Sequence, residues 1–169
     1  MIVESLVWET NIASSAEEVF SLLAGLRDYD RWLSGSQAYH GILQISDGPI
    51  AAGTTYVQPG PFGTRYGRVT SMLPPTELDF EQPMIMRPRL MGSIGIRLFH
   101  RIAVNEDGTV RLVRRLELSF QGPVKLLKSP IIRAFVTENE RMMKALKAFS
   151  EKGRPPSSSL TIRQVLENG

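Results

Sequence analysis

Between residues 37 and 120 the chain is cut into strand-sized runs by turn signals at Asp47-Gly48-Pro49, Pro59-Gly60-Pro61, Pro74-Pro75 and Asp107-Gly108. This punctuation limits the fold more than any other feature. Connections so short cannot make the crossovers that parallel strands require, so the region predicts an antiparallel meander of about six strands. A sheet of that kind buries one face, and an amphipathic helical pattern from about Pro123 to Glu151 follows it in the chain.

The segment ahead of the meander has a different rhythm. Residues 2–12 alternate as a strand, with Leu6, Trp8 and Ile12 on one face. Ser14 and Glu17 have the spacing of a capping box, which starts a helix at Ser15. Val19, Phe20, Leu22 and Leu23 give that helix its apolar side, Gly25 stops it, and Arg27 to Leu33 form a second short helix carrying Tyr29 and Trp32 inward. At the other end, Ser129-Pro130 reads as an N-cap and first-turn pair that begins or kinks the long helix, and Gly153 ends it. Residues 153–160 read as a linker and residues 161–169 as one or two helical turns at most, so the organisation expected is one domain over 1–152 and a flexible tail over 153–169.

Composition narrows the function classes. A chain of 169 residues, 42% hydrophobic, buries enough apolar surface to fold as one domain without staples. The absence of cysteine removes thiolate catalysis, cysteine-ligated zinc and disulfides, and fits a reducing cytoplasm. The first residues, MIVESLVWETNI, do not read as a secretory signal, and no stretch is long enough to span a bilayer, so stable membrane insertion is not expected. The formal charge of +3 is spread among acidic residues, which argues against a nucleic-acid partner. His40 and His100 are the only histidines and neither has a metal-ligand spacing, and there is no phosphate-cradling glycine motif; neither metal nor cofactor is expected.

The run Ile12-Ala13-Ser14-Ser15-Ala16-Glu17-Glu18-Val19-Phe20, followed by Tyr29-Asp30-Arg31-Trp32, resembles the opening strand, helix and Trp-bearing second helix of the START-like superfamily, also called SRPBCC. Gly53, Arg68-Val69 before Pro74-Pro75, Leu78 and Phe80 after it, Gly122-Pro123, and Leu146-Lys147 with Glu151 continue the resemblance across nearly all of residues 1–152. The resemblance implies an α+β helix-grip fold: a curved antiparallel sheet of about seven strands wrapped around a long C-terminal helix, two short helices after the first strand, and a cavity between sheet and helix. Members of this superfamily include polyketide cyclases and dehydrases, lipid-transfer domains and plant ligand binders. The resemblance therefore implies work on apolar or aromatic molecules without fixing a reaction.

The hairpin at Asn105-Glu106-Asp107-Gly108 can be registered, because Gly108 suits the left-handed position of a three-residue loop. Asn105 then faces Thr109, and counting back pairs Ile102 with Leu112, His100 with Arg114, Leu98 with Leu116, Ile96 with Leu118 and Ile94 with Phe120. Arg97, Arg101, Arg111, Arg115 and Glu117 point to solvent. His100 and Arg114 fall side by side on an otherwise apolar inner face, where a guanidinium requires an anionic side chain, ordered water, or a ligand carboxylate or hydroxyl. On the helix, Ile131, Phe135, Met142, Leu146 and Phe149 form one stripe, with Glu138 inside it, Asn139 at its margin and Lys147 on the opposite side. Glu138 is thus a candidate partner for Arg114, a proton-transfer group beside His100, or a carboxylate at the cavity edge.

A second register about Pro74-Pro75 pairs Val69 with Phe80 and Ser71 with Leu78 inside, and Arg68 with Glu81 and Thr70 with Asp79 outside. Trp32, Val69, Phe80, Leu98 and Leu116 then join His100 and Arg114 as wall residues, Phe135, Glu138 and Met142 come from the helix, and Phe62 tips a loop at the mouth. Arg65 reads as a rim residue, and Gln82 to Met91, with three methionines, as core filling or a flexible wall. The function expected is binding or transport of an apolar small molecule, aromatic, acyl or lipid-like, by a monomer or homodimer. The alternatives are a cofactor-free cyclase, aromatase or dehydratase in which His100, Glu138 or Tyr66 moves protons, and a protein-interaction module.

Overall fold

The computed structural model describes residues 3–152 in full and the backbone of residues 163–167. Its strands are β1 (Val3–Ile12), β2 (Thr55–Pro59), β3 (Gly63–Leu73), β4 (Glu77–Glu81), β5 (Met84–Met86), β6 (Ser93–Val104), β7 (Val110–Gln121) and β8 (Arg163–Glu167). The helices are α1 (Ala16–Ala24) and α2 (Lys128–Ser150), with 3-10 turns at Leu26–Arg31, Arg89–Met91 and Pro123–Leu127. The strands form one antiparallel sheet in the order β2-β3-β4-β6-β7-β1-β8, and β5 bridges β3 and β6. The first seven strands and the long C-terminal helix are those expected.

Alternation fixes which face is buried. Leu6, Trp8 and Ile12 of β1 are within 1% of complete burial, and Leu98, Ile102, Leu112, Leu116 and Leu118 continue the same face on β6 and β7. The β6–β7 hairpin has the expected register at every step from Ile94↔Phe120 to Ile102↔Leu112, and Gly108 sits at φ 83°. On the opposite face, charges pair across strands: Arg97 with Glu117 at 2.8 Å, Arg101 with Asp79 at 2.5 Å and Arg111 with Glu9 at 2.6 Å.

The second register holds only in part. Val69 does pair with Phe80 and Arg68 with Glu81, but a bulge at Thr70 shifts the remainder, so Ser71 meets Asp79 and Met72 meets Leu78. The extra residue re-aims the strand end. On β2, Tyr56 lies flat across Gly67, its partner on β3; a Cβ at Gly67 would come 2.1 Å from the Tyr56 ring. Gly67→Ala is therefore expected to displace Tyr56 and to destabilise the fold by about 1–3 kcal/mol, the range of overpacked cores. Urea unfolding measures it, and an unchanged midpoint would show that the ring moves freely.

Three local expectations shift. Ser15, not Ser14, caps α1 by accepting from Glu18 N at 3.2 Å, while Ser14 Oγ donates to the Glu18 carboxylate at 2.6 Å; the box is displaced by one residue. Helix α2 starts after Leu127, so Pro130 lies within its first turn, where proline is tolerated, and Ser129 is not the cap. Residues 163–167, expected as helical turns, pair with β1 instead, Val7 opposite Val165; the linker at 153–160 lies outside the described residues.

The face of α2 that packs deepest is Asn139, Met143, Leu146, Lys147 and Ser150, rotated from the expected stripe. Ile131, Phe135, Met142 and Phe149 are half-buried on its flank. The charge of Lys147 predicts an outward position, yet only 5% of it is exposed: its stem covers apolar surface while Nζ reaches the Asn11 carbonyl and Glu151, the latter at 3.0 Å. Glu151 also accepts from Ala13 N at 2.9 Å, fastening the end of α2 to the β1–α1 connection. The methionine-rich segment is β5 and its flanks, with Met86 buried; its three methionines fill the fold, and of the segment only Gln82 borders the cavity described next.

Candidate functional site

Between the inner face of the sheet and α2 lies a cavity of about 70 Å³. At its deep end β6 and β7 set His100 and Arg114 side by side as cross-strand partners. His100 Nδ1 lies 2.9 Å from the Leu78 carbonyl and Nε2 lies 2.6 Å from Arg114 Nη1. A carbonyl only accepts and a guanidinium only donates, so the histidine carries its proton on Nδ1 and accepts from Arg114 through Nε2. Burial first, then the Arg114 charge, lowers the imidazole pKa to about 3, which keeps His100 neutral.

Arg114 Nε donates to Asn139 Oδ1 at 2.7 Å, and Asn139 Nδ2 donates to the Phe135 carbonyl at 2.7 Å, which fixes the amide. Arg114 is 6% exposed, and burial lowers its pKa to about 10; it remains charged at neutral pH. Both of its hydrogen-bond partners are neutral. Arg97, Arg101 and Arg111, on the outer face of the same two strands, each meet a carboxylate. Arg114, where desolvation costs most, meets none among the described residues.

Around this pair stand Tyr29, whose hydroxyl donates to the Leu23 carbonyl at 2.5 Å, and Tyr56, whose hydroxyl accepts from Gln82 Nε2. Burial raises both phenol pKa values well above their ordinary range. Phe80 packs edge-on against Tyr56 and His100, at centroid distances of 6.1 and 5.7 Å. Leu26, Leu33, Ile42, Leu98 and Met142 supply the apolar part of the wall. The mouth is made by Tyr39, Arg65, Glu138 and Arg141, all half-buried.

No family model matches the sequence and no curated protein is similar to it, so likeness to known proteins lies in the fold. A norcoclaurine synthase from Thalictrum flavum, solved with a transition state analogue, superposes with a TM-score of 0.68 at 13% identity, covering 89% of this chain and 96% of that one. The protein Ara h 8.0201 gives 0.64 at 12% identity over 89% of this chain and 99% of its own. The chain has the START-like helix-grip fold. A third neighbour, the di-domain ARO/CYC protein StfQ from the steffimycin biosynthetic pathway, gives 0.69 at 13% identity; 89% of this chain is covered, and it spans 52% of that protein.

Within this helix-grip frame the predicted site residues divide. Phe80, Leu98, His100, Arg114, Glu138 and Met142 all border the cavity. Val69 and Leu116 are buried in the core behind it, and Trp32 packs on Tyr29 at 4.9 Å without reaching the lining. Phe135 is half-buried under the Arg65 guanidinium, 6.0 Å from its ring centroid. Phe62 is 70% exposed and stands away from the cavity. Glu138 does not reach Arg114: it bonds Arg141 at 3.0 Å and accepts from Ser36 at 3.2 Å, at the mouth. Tyr66, a candidate proton donor, is 47% exposed on β3 and absent from the lining.

The chamber expected to be apolar is about half polar, since Gln58, Gln82, Asn139, Arg65 and Arg141 line it together with the predicted pair and Glu138. Asn139 carries a readable signal, because residues 139, 143, 146 and 150 repeat at helical spacing. Among the described residues no group of three or more His, Cys, Asp or Glu is gathered to hold a metal, and no helix is long and apolar enough to cross a membrane.

Proposed function

We propose that the chain binds a small organic acid, its carboxylate on Arg114 and its apolar body against Leu26, Leu33, Phe80, Leu98 and Met142. The observation that carries this reading is a fully buried guanidinium held by His100 and Asn139, both neutral, and facing a cavity. A buried cation without a counter-ion is expensive, and a charge-assisted carboxylate bond offsets that cost. The volume of about 70 Å³ is about half that of an engineered cavity that admits benzene, so the acid end enters and a longer body extends through the mouth. That a neighbouring helix-grip protein was solved with a bound analogue supports use of the cavity for a ligand.

Catalysis of the cyclase or dehydratase kind is less supported. The His100 lone pair is committed to Arg114, and Glu138 lies at the mouth. The test is a thermal-shift and calorimetric series in which carboxylic acids are compared with the primary amides of the same shape. Acids are expected to raise Tm and amides not to, with the response lost in Arg114→Met. Equal responses to both, or an undiminished response in the variant, would refute the reading.

A further inference from the structure

We propose that the ligand is a dicarboxylic acid, one carboxylate on Arg114 and the second on Arg65 beside Gln58. This rests on the organic-acid reading and adds a second subsite on the opposite wall. The sheet curves around α2, so β2 and β3 face the cavity from the side away from β7. Gln58 and Arg65 are cross-strand partners there, and both border the cavity.

Charge carries the argument. The lining holds three guanidiniums, Arg65, Arg114 and Arg141, against the single carboxylate of Glu138. Glu138 is bonded to Arg141 through Nε at 3.2 Å and Nη2 at 3.0 Å and to Ser36. Arg65 has no ion pair within salt-bridge distance among the described residues; it donates to the Ala38 carbonyl at 3.3 Å and covers the Phe135 ring. Arg65 and Arg114 also lie in one another's field, since Arg65 is among the charges that lower the Arg114 pKa, and burial lowers that of Arg65 itself. Two like charges sharing a desolvated chamber repel, Glu138 at the mouth offsets this only for Arg65, and a dianion between them would give each guanidinium an attractive partner.

Gln58 supplies an independent observation. It is 8% exposed, it borders the cavity, and its side-chain oxygen has no hydrogen-bond partner among the described residues. Buried polar atoms are ordinarily paired, and this unpaired oxygen is an acceptor, so the amide serves a carboxylate only when its terminal group is reversed. Rotation of the terminal amide presents either its oxygen or its NH₂ there, and the NH₂ donates to a carboxylate alongside the Arg65 fork.

The experiment is calorimetry on the full chain at fixed ionic strength, comparing succinate, glutarate and adipate with butyrate, valerate and hexanoate, and with the ω-hydroxy acids of the same lengths. One diacid is expected to bind at least about tenfold more tightly than its monoacid, the effect of a charge-assisted pair in a desolvated site, and Arg65→Met to bring that ratio towards one. Gln58→Leu, which leaves the charge in place, is expected to lower the same ratio by about threefold, the loss of one hydrogen bond. A ratio near one in the wild type, a ratio unchanged in both variants, or an ω-hydroxy acid that matches the diacid overturns the proposal. Binding by monoacids alone overturns the second subsite and leaves the Arg114 reading standing, whereas no binding by any acid overturns both.

Discussion

Asn139→Asp is expected to weaken carboxylate binding by about a hundredfold, equivalent to about 2.7 kcal/mol, while leaving the fold intact. The substitution keeps the shape of the side chain and places a carboxylate oxygen where Asn139 Oδ1 now stands, 2.7 Å from Arg114 Nε. An ionised acceptor there neutralises the guanidinium from within and removes the reason for a ligand anion to enter. Two effects on stability oppose one another. The charge-assisted bond to Arg114 strengthens by about 1 kcal/mol, and the donor now serving the Phe135 carbonyl is lost at similar cost. Asn139→Leu separates the two roles: it strips Arg114 of a partner and is expected to cost about 2–3 kcal/mol of stability, yet it leaves the cavity cationic and still able to take an acid. Calorimetric titration and denaturant unfolding of both variants, at neutral pH where the introduced carboxyl is ionised, supply the four quantities. Undiminished acid binding in Asn139→Asp would mean that ligands do not use Arg114.

The parts of this architecture that are readable from sequence are those in which one residue can occupy only one place. Gly108 at φ 83° fixes the β6–β7 hairpin, and alternation then carries the register back to Ile94. His100 and Arg114 can be paired for that reason alone. The register beyond Val69 is not readable, because a bulge inserts a residue without a compositional mark, and Thr70 is as ordinary in a strand as out of it. Sorting the polar residues of the helix by charge sends Lys147 outward and leaves Asn139 at a margin. Helical spacing alone, without that sorting, places both among the buried set with Met143, Leu146 and Ser150. Tyr56 and Gln58 escape a sequence reading because the turn signals at 47–49 and 59–61 do not fix a register for β2; their inward direction emerges only when Gly67 is seen beneath the Tyr56 ring. The RQVLE segment is too short for its period to distinguish strand from helix, and its place beside β1 depends on an edge formed at the other end of the chain.

The second large effect concerns acid. His100 has a folded-state pKa of about 3 against an ordinary value of 6.5, because burial and the Arg114 charge both oppose a second proton. Between those values the unfolded chain binds a proton that the folded chain does not, so stability is complete above about pH 6.5 and declines as pH falls towards 3. At its steepest the loss is about 1.4 kcal/mol for each pH unit from this one group, and over the window it is large against the stability of an ordinary domain. Paired carboxylates add their own acid limb, so the comparison has to be with a variant that differs only at this site. His100→Gln supplies it: an amide donates to the Leu78 carbonyl or accepts from Arg114 and does not titrate in this range. Unfolding free energies of the two proteins between about pH 3.5 and 7 are expected to diverge by a slope of nearly one proton. Parallel slopes would mean that His100 protonates in place, which the Arg114 nitrogen 2.6 Å from Nε2 forbids unless the guanidinium withdraws. The same contact underlies the proposed division of labour in the cavity. A histidine held neutral at physiological pH is ill suited to acid–base catalysis, and in that proposal it holds the charge to which an anion would bind.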